Sequence, residues 1–361
     1  MRILVLGGTA WLGHAVAAAH VAAGNDVTCV ARGTDVPAGA TLVRLDRDDG
    51  ADALASDPTL AGEWDEVVDV TRIPAHATAA AQALAGRARH WTLVSTVSVY
   101  ADVDRPGADE RAALLEPSAD PDDYGRAKVH VEQTMHAALG DRLLVLRPGL
   151  IVGPGDPSDR FGSWAARAAL AGDEPLLVPE RDVAAQVVDV RDLVDAIVAL
   201  GTRGVIGVRD AVGTVTTLHA LVDEVRAAAA HAGPIVLASD DELAQHDVQP
   251  WGGPRALALW LPVGHEGHGA RSNAALLADG IRLRPTAETV RDVVADERDR
   301  GLDRARANGI ARADEVAVLA AIARGRAEAP TLADATEPIR STDPARTPRD
   351  ASDASDRQES P

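Results

Sequence analysis

The sequence is short of several residue types, and each shortage excludes something. Its single cysteine, Cys29 in 361 residues, rules out an intramolecular disulfide framework and a cysteine-rich zinc site. Lysine and arginine number 36 against 55 aspartates and glutamates, a formal net charge of −19. That balance argues against nucleic acid as a partner, because phosphate binding needs clustered cations to release counterions. It also disfavours an anionic membrane surface, while leaving room for a local basic pocket. Nothing approaches the run of about 20 apolar residues needed to span a bilayer. The opening run Ile3-Leu4-Val5-Leu6 is too short for the apolar core of a signal peptide. The expectation is a soluble, cytoplasmic protein with a small-molecule substrate.

Aromatic residues make up 2% of the chain, with one phenylalanine, Phe161, and two tyrosines, Tyr100 and Tyr124. The basic residues are arginine with one exception, Lys128. The chain is rich in Ala, Arg, Asp and Val, and a rare residue kept at a chemically meaningful spacing in such a background is a pointer to function. With 46% hydrophobic residues there is ample material for a core, and the length allows one large domain or two moderate ones.

Through residue 150 short apolar runs alternate with Ala-rich helical stretches. Strands are expected at Arg2–Leu6, Asp26–Ala31, Thr41–Leu45, Glu66–Val70, Trp91–Ser95 and Leu143–Arg147. These runs are continuously apolar, the mark of strands covered on both faces in a parallel sheet. A helix over His14–Ala23 would close at Gly24. Strands alternating with helices predict an α/β fold with a doubly wound parallel sheet. After Pro148 a Gly/Pro-rich loop, Gly149–Pro157, breaks the pattern, and Val187–Leu200 resumes it. Further helices are expected at Leu218–Ala230 and Ala287–Arg300, with a loop carrying Trp251, Trp260, His265 and His268 between them. From Thr331 to Pro361 the chain is rich in Asp, Pro, Ser, Thr and Arg, and reads as disordered.

Leu6-Gly7-Gly8-Thr9-Ala10-Trp11-Leu12-Gly13 follows the first strand and opens a helix. Glycines there permit a tight turn and close helix–strand packing, so that backbone N–H groups at the helix N-terminus meet a pyrophosphate. The candidate cofactor-binding residues are Gly7, Thr9, Ala10, Trp11, Leu12 and Gly13. Ala10 stands where a further glycine is common, and its methyl group is small enough for binding to survive. An acid at the end of the second strand would bind ribose hydroxyls and favour NAD, whereas an arginine would pair with the 2′-phosphate of NADP. Here the strand ends in Ala31-Arg32-Gly33, and Arg32 favours NADP over NAD. Asp46, after the third strand, is a candidate for the adenine end.

Tyr124-Gly125-Arg126-Ala127-Lys128 places a phenol and an ammonium four residues apart, on one face of a helix. A neighbouring ammonium favours the phenolate and would lower the tyrosine pKa from about 10, making Tyr124 a general acid/base. The fifth strand runs into Val94-Ser95-Thr96-Val97-Ser98-Val99-Tyr100. Hydroxyls at a strand's C-terminal end face the crevice where α/β sheets bind ligands. Thr96 is the candidate partner of Tyr124, with Ser95 and Ser98 as substitutes; such hydroxyls also serve simply as caps for loose backbone groups.

These motifs stand in order with Leu146-Arg147-Pro148-Gly149-Leu150-Ile151-Val152-Gly153-Pro154-Gly155 and, farther on, Arg284-Pro285 and Thr289. Together they resemble the extended short-chain dehydrogenase/reductase family, the NAD-dependent epimerase/dehydratase group, from Met1 to roughly Gly213. The resemblance implies a Rossmann domain over 1–160 and 187–210 and a smaller mixed substrate-binding region over 161–186 and 211–330. It implies hydride transfer at a nicotinamide with Thr96, Tyr124 and Lys128 as the catalytic residues, Lys128 also holding the ribose. By the same analogy the Pro148–Val152 segment, including Leu150, lines the nicotinamide. A homodimer through the helices flanking Tyr124 is implied as well. The chain departs from the pattern at Asp69-Val70-Thr71-Arg72-Ile73-Pro74, where many sugar-nucleotide members carry a His- and Ala-rich turn, and this puts a nucleotide-sugar substrate in doubt. The competing reading is a non-catalytic dinucleotide-binding module that senses redox state or holds a partner. His265-Glu266-Gly267-His268 lacks a further ligand cluster and reads as loop rather than metal site. Trp251 and Trp260, with Arg255 between them, are either core or the lining of a substrate pocket.

Overall fold

The computed structural model describes residues 1–328, so the expected disordered tail lies outside the described residues. Six strands form where the continuous apolar runs stand: β1 (Arg2–Leu6), β2 (Asp26–Ala31), β3 (Thr41–Arg44), β4 (Trp64–Asp69), β5 (Ala88–Val94) and β6 (Leu143–Pro148). A seventh, β7 (Gly207–Ala211), pairs with β6. The order is β7-β6-β5-β4-β1-β2-β3 and every pairing is parallel. From β1 the chain winds outward through β2 and β3, then returns to place β4 on the other side of β1. The carboxyl ends of β1 and β4 therefore border a topological switch point, where open α/β sheets bind ligands.

Helices cover both faces. On one, α1 (Trp11–Ala22) packs with α6 (Val190–Thr202) over Ile3, Val5, Val27, Cys29 and Leu144. On the other, α2 (Gly50–Ser56), α3 (Pro74–Leu84) and α4 (Tyr124–Leu139) lie over Leu4, Leu6, Val67, Trp91 and Val145. Alternate residues of β1 thus serve opposite cores, which is why Ile3–Leu6 carries no polar residue. The first helix begins three residues earlier than its apolar pattern predicts, directly behind the glycine-rich turn.

A separate core gathers the later chain: Phe161, Trp164, Leu176, Leu221, Val225, Trp260, Val293 and Ile322 are among its buried members. It is built around α5 (Arg160–Ala171), α7 (Leu218–Ala229), and the helices Thr286–Arg300 and Arg312–Glu328. Glu315, fully buried, anchors the last of these by accepting from Arg167, Arg312 and the Leu177 amide. Tyr100 serves structure: its hydroxyl donates to Asp210 at 2.6 Å and accepts from Arg147 at 2.8 Å, with the Arg271 guanidinium 3.3 Å from its ring centre. No helix among the described residues is long and apolar enough to cross a membrane.

Candidate active site

The glycine-rich turn links β1 to α1. A Cβ at Gly13 would collide with the Gly7 carbonyl oxygen, so only glycine lets the helix start this close to the turn. Ala10 is the N-cap and no side chain caps the helix or places a carboxylate in its first turn. Its leading N–H groups therefore keep the free positive end that a pyrophosphate needs. Beside it lies a cavity of about 550 Å³ lined by Gly7, Thr9, Ala10, Arg32, Asp46, Arg47 and the Val70–Ile73 loop, among others. These features fit a bound dinucleotide.

At the far end of this groove the Arg32 side chain is 74% exposed and its guanidinium stands 3.8 Å from Asp46. Asp46 caps the short turn Arg47–Asp49 by accepting from the Asp48 amide. Arg47 is buried and grips Asp69 through two bonds of 2.9 and 3.2 Å, so the departure at position 69 is an ion pair that braces the groove floor. Leu12, Gly13 and Pro148 line neither this groove nor the cleft described next; Gly13 acts through backbone packing and Pro148 is buried as the last residue of β6.

A second cavity of about 540 Å³ holds Trp11, Thr96, Ser98, Tyr124 and Leu150, and Arg72 lines both. The sequence-predicted pair Thr96 and Tyr124 is thus brought together beside Leu150. Tyr124 is the first residue of α4, and the glycine after it allows the approach: a Cβ at Gly125 would strike the Ser98 carbonyl. The Thr96 hydroxyl accepts from the Ser98 amide at 3.1 Å and lies near the phenol, so it is both a cap and a cleft residue. Ser95, buried with its hydroxyl unpartnered, does not line the cleft.

Lys128 differs from the expectation. Its amine is buried and donates to the carbonyls of Thr71 and Val94, both at 2.6 Å. Burial pushes its pKa down to about 8. The Tyr124 phenol, predicted to titrate low, is instead raised: although 44% of the residue is exposed, crowding by the cleft walls outweighs the Thr96 hydroxyl, Arg160 and Arg72, which act the other way. The physical reason is direction. Lys128 reaches inward, and its amine is committed to the Thr71 and Val94 carbonyls beyond the end of β4 and at the end of β5.

Sequence reasoning did not single out Asp156, Ser158, Arg160 and Arg72 as cleft residues, and left Trp251 between core and pocket; all line the cleft. The Arg160 guanidinium stands 5.7 Å from the Trp251 ring centre, and Trp251 meets His268 edge-on at 5.4 Å. Burial, with His265 and Arg271 nearby, pushes the His268 pKa down to about 4, so the ring is a neutral wall. No group of three or more His, Cys, Asp or Glu able to hold a metal occurs among the described residues.

The sequence model of the family described as NAD dependent epimerase/dehydratase matches residues 3–210. No curated protein matches the chain. Among solved structures, a protein from Burkholderia cenocepacia is 23% identical with a TM-score of 0.64, over 82% of this chain and 98% of its own. UDP-glucose 4-epimerase of Thermus thermophilus, solved with NAD, is 19% identical with a TM-score of 0.59, over 82% and 99%. WbmG of Bordetella bronchiseptica, solved with NAD and UDP, is 14% identical with a TM-score of 0.64, over 84% and 96%. At these identities the structures establish a shared fold.

Proposed function

The chain belongs to the NAD-dependent epimerase/dehydratase family, and we propose that it is an oxidoreductase acting at a hydroxyl or carbonyl carbon, with Tyr124 as general acid/base. The observation that carries this reading is the shared wall. Tyr124, Thr96, Trp11 and Leu150 surround one cleft, and Arg72 joins that cleft to the groove at the glycine-rich turn. A dinucleotide laid along the groove supplies the hydride acceptor or donor.

In this reading Tyr124 moves the proton at the substrate oxygen, and Thr96 holds that oxygen by hydrogen bonding as charge develops. Lys128 is a positioning residue: its two bonds fix the ends of β4 and β5, hence the backbone at Thr71 and the approach to Thr96. The free N–H groups at the start of α1, beginning at Trp11, hold the pyrophosphate, and Gly13 lets the helix start close enough to the turn for them to do so. Arg32, exposed and only loosely engaged by Asp46, meets a 2′-phosphate, so NADP(H) is bound more tightly than NAD(H). A homodimer through the helices flanking Tyr124 belongs to the same proposal and rests on the family resemblance. Tyr124→Phe tests the assignment: dinucleotide affinity stays within about twofold while proton transfer, worth about 10²–10⁴ in rate, is lost. Turnover that survives the change excludes Tyr124 as the acid/base.

A further inference from the structure

The cleft carries two guanidinium groups, Arg160 and Arg72, that make no ion pair among the described residues. Arg160 opens α5, and the acids beside it are committed elsewhere. Asp159 accepts from Arg304 and from the Ala307 amide, and Asp156 accepts from the amide and hydroxyl of Ser158. Arg160 has no ion-pair partner among the described residues, and its Nε is buried without a hydrogen bond. Arg72 donates only a long bond of 3.4 Å to the Pro121 carbonyl. In a chain of net charge −19, two guanidinium groups outnumber the one carboxylate of this cleft, Asp156, which is turned to Ser158, and form a local site for an anion. Both line the same cleft as Tyr124, so the anion they would hold shares that cleft with the reacting oxygen.

The cleft is short at its inner end. Trp251 and His268 close it, and behind them the space shared with Leu259 and Leu261 falls to about 10 Å³. That wall is held in place. Trp251 sits at φ +64°, its amide donates to the Leu257 and Trp260 carbonyls at 3.2 and 3.1 Å, and the Trp260 indole donates to Asp240. The His268 ring adds no charge for a second anion. The remaining volume, about 540 Å³, must also admit the nicotinamide end of the cofactor.

We infer that this cleft takes a compact substrate bearing one oxyanion, a carboxylate or a phosphate ester, held by Arg160 and Arg72 against the Trp251 wall, rather than a sugar joined to a nucleotide. The inference rests on the proposed function, since it names the substrate class of the same cleft. It assigns Arg160 and Arg72 to substrate specificity and Trp251 to the apolar face of the substrate.

The test is calorimetric titration of the NADPH-loaded protein with four probes: glucose, glucuronate, glucose 1-phosphate and UDP-glucose. The expected result is that glucuronate or glucose 1-phosphate binds at least tenfold more tightly than glucose, and whichever is tighter identifies the oxyanion. Arg160→Gln should remove that advantage, and Arg72→Gln should reduce it, while NADPH affinity of Arg160→Gln stays within twofold and so reports an intact fold. Tighter binding of UDP-glucose than of both compact anions overturns the inference, as does equal or absent binding of all four probes. Failure of the unliganded protein to bind either NADPH or NADH would overturn the proposed function instead.

Discussion

The Trp11 indole N–H donates to the Pro154 carbonyl oxygen at 2.9 Å, joining positions 143 residues apart. Trp11 opens the helix that follows the glycine-rich turn, and Pro154 lies in the loop that leads to Arg160. The same loop is tied from the other side, where the Gly155 amide donates to Asp296 at 2.9 Å. One side chain thus sets the distance between the dinucleotide groove and the substrate cleft.

Trp11→Phe keeps the apolar ring and removes the donor, leaving the carbonyl without its partner. A loss of about 1 kcal/mol is expected for one such bond, read from the urea midpoint. Dinucleotide titration should also lose more than half of the tryptophan fluorescence change if Trp11 lines the cleft as described. An unchanged midpoint would mean that the bond contributes nothing to the fold.

Lys128 makes a pH prediction whose sign is opposite to that of an ordinary ion pair. Its folded pKa, about 8, lies below the unfolded value of 10.5. Between these values the unfolded chain holds more protons, so this residue makes stability rise with pH from about 8 to 10.5; below 8 the cost of burying the charged amine is full and independent of pH. The span corresponds to about 3 kcal/mol. Lys128→Met should flatten that part of the profile relative to the unaltered protein, measured by denaturant unfolding at pH 7.5 to 10.5. Parallel profiles would place the amine outside the carbonyl cage.

Arg32 governs the choice of dinucleotide. Arg32→Ala should weaken NADPH about tenfold, near 1.4 kcal/mol, and leave NADH within twofold, by equilibrium titration. Tighter binding of NADH than of NADPH by the unaltered protein would show Arg32 to be a solvent-facing partner of Asp46.

Much of the sheet was legible because parallel strands covered on both faces are mostly apolar; β1 and β2 stand where their runs predict. The seventh strand, Gly-Val-Arg-Asp-Ala, was not. Its two charges are paired with residues distant in sequence, Arg209 with Asp279 and Asp210 with Arg271, Asp210 also accepting from the Tyr100 hydroxyl, and no local pattern reveals that. In the cleft, Tyr124 was legible from its spacing to Lys128, Thr96 from its place at the end of a strand, and Leu150 only through the family resemblance. Arg160 and Arg72 were not, because arginine is this chain's usual cation and only the folded structure brings these two to one cleft. The helical spacing of Tyr124 and Lys128 gave the shared element and missed the inward reach of the amine toward Thr71 and Val94.

The Tyr124→Phe protein separates a catalyst from a plain binding module. Retained dinucleotide affinity with lost turnover fits the proton-transfer role; a full rate of turnover removes it.

The most direct measurement is titration of the protein and of Gly13→Val with NADPH and NADH, with circular dichroism to confirm that both are folded. One dinucleotide per chain, weakened at least tenfold in Gly13→Val by the clash with the Gly7 carbonyl, is the predicted result. No binding of either dinucleotide by the unaltered protein, or equal binding by the folded variant, would contradict the account.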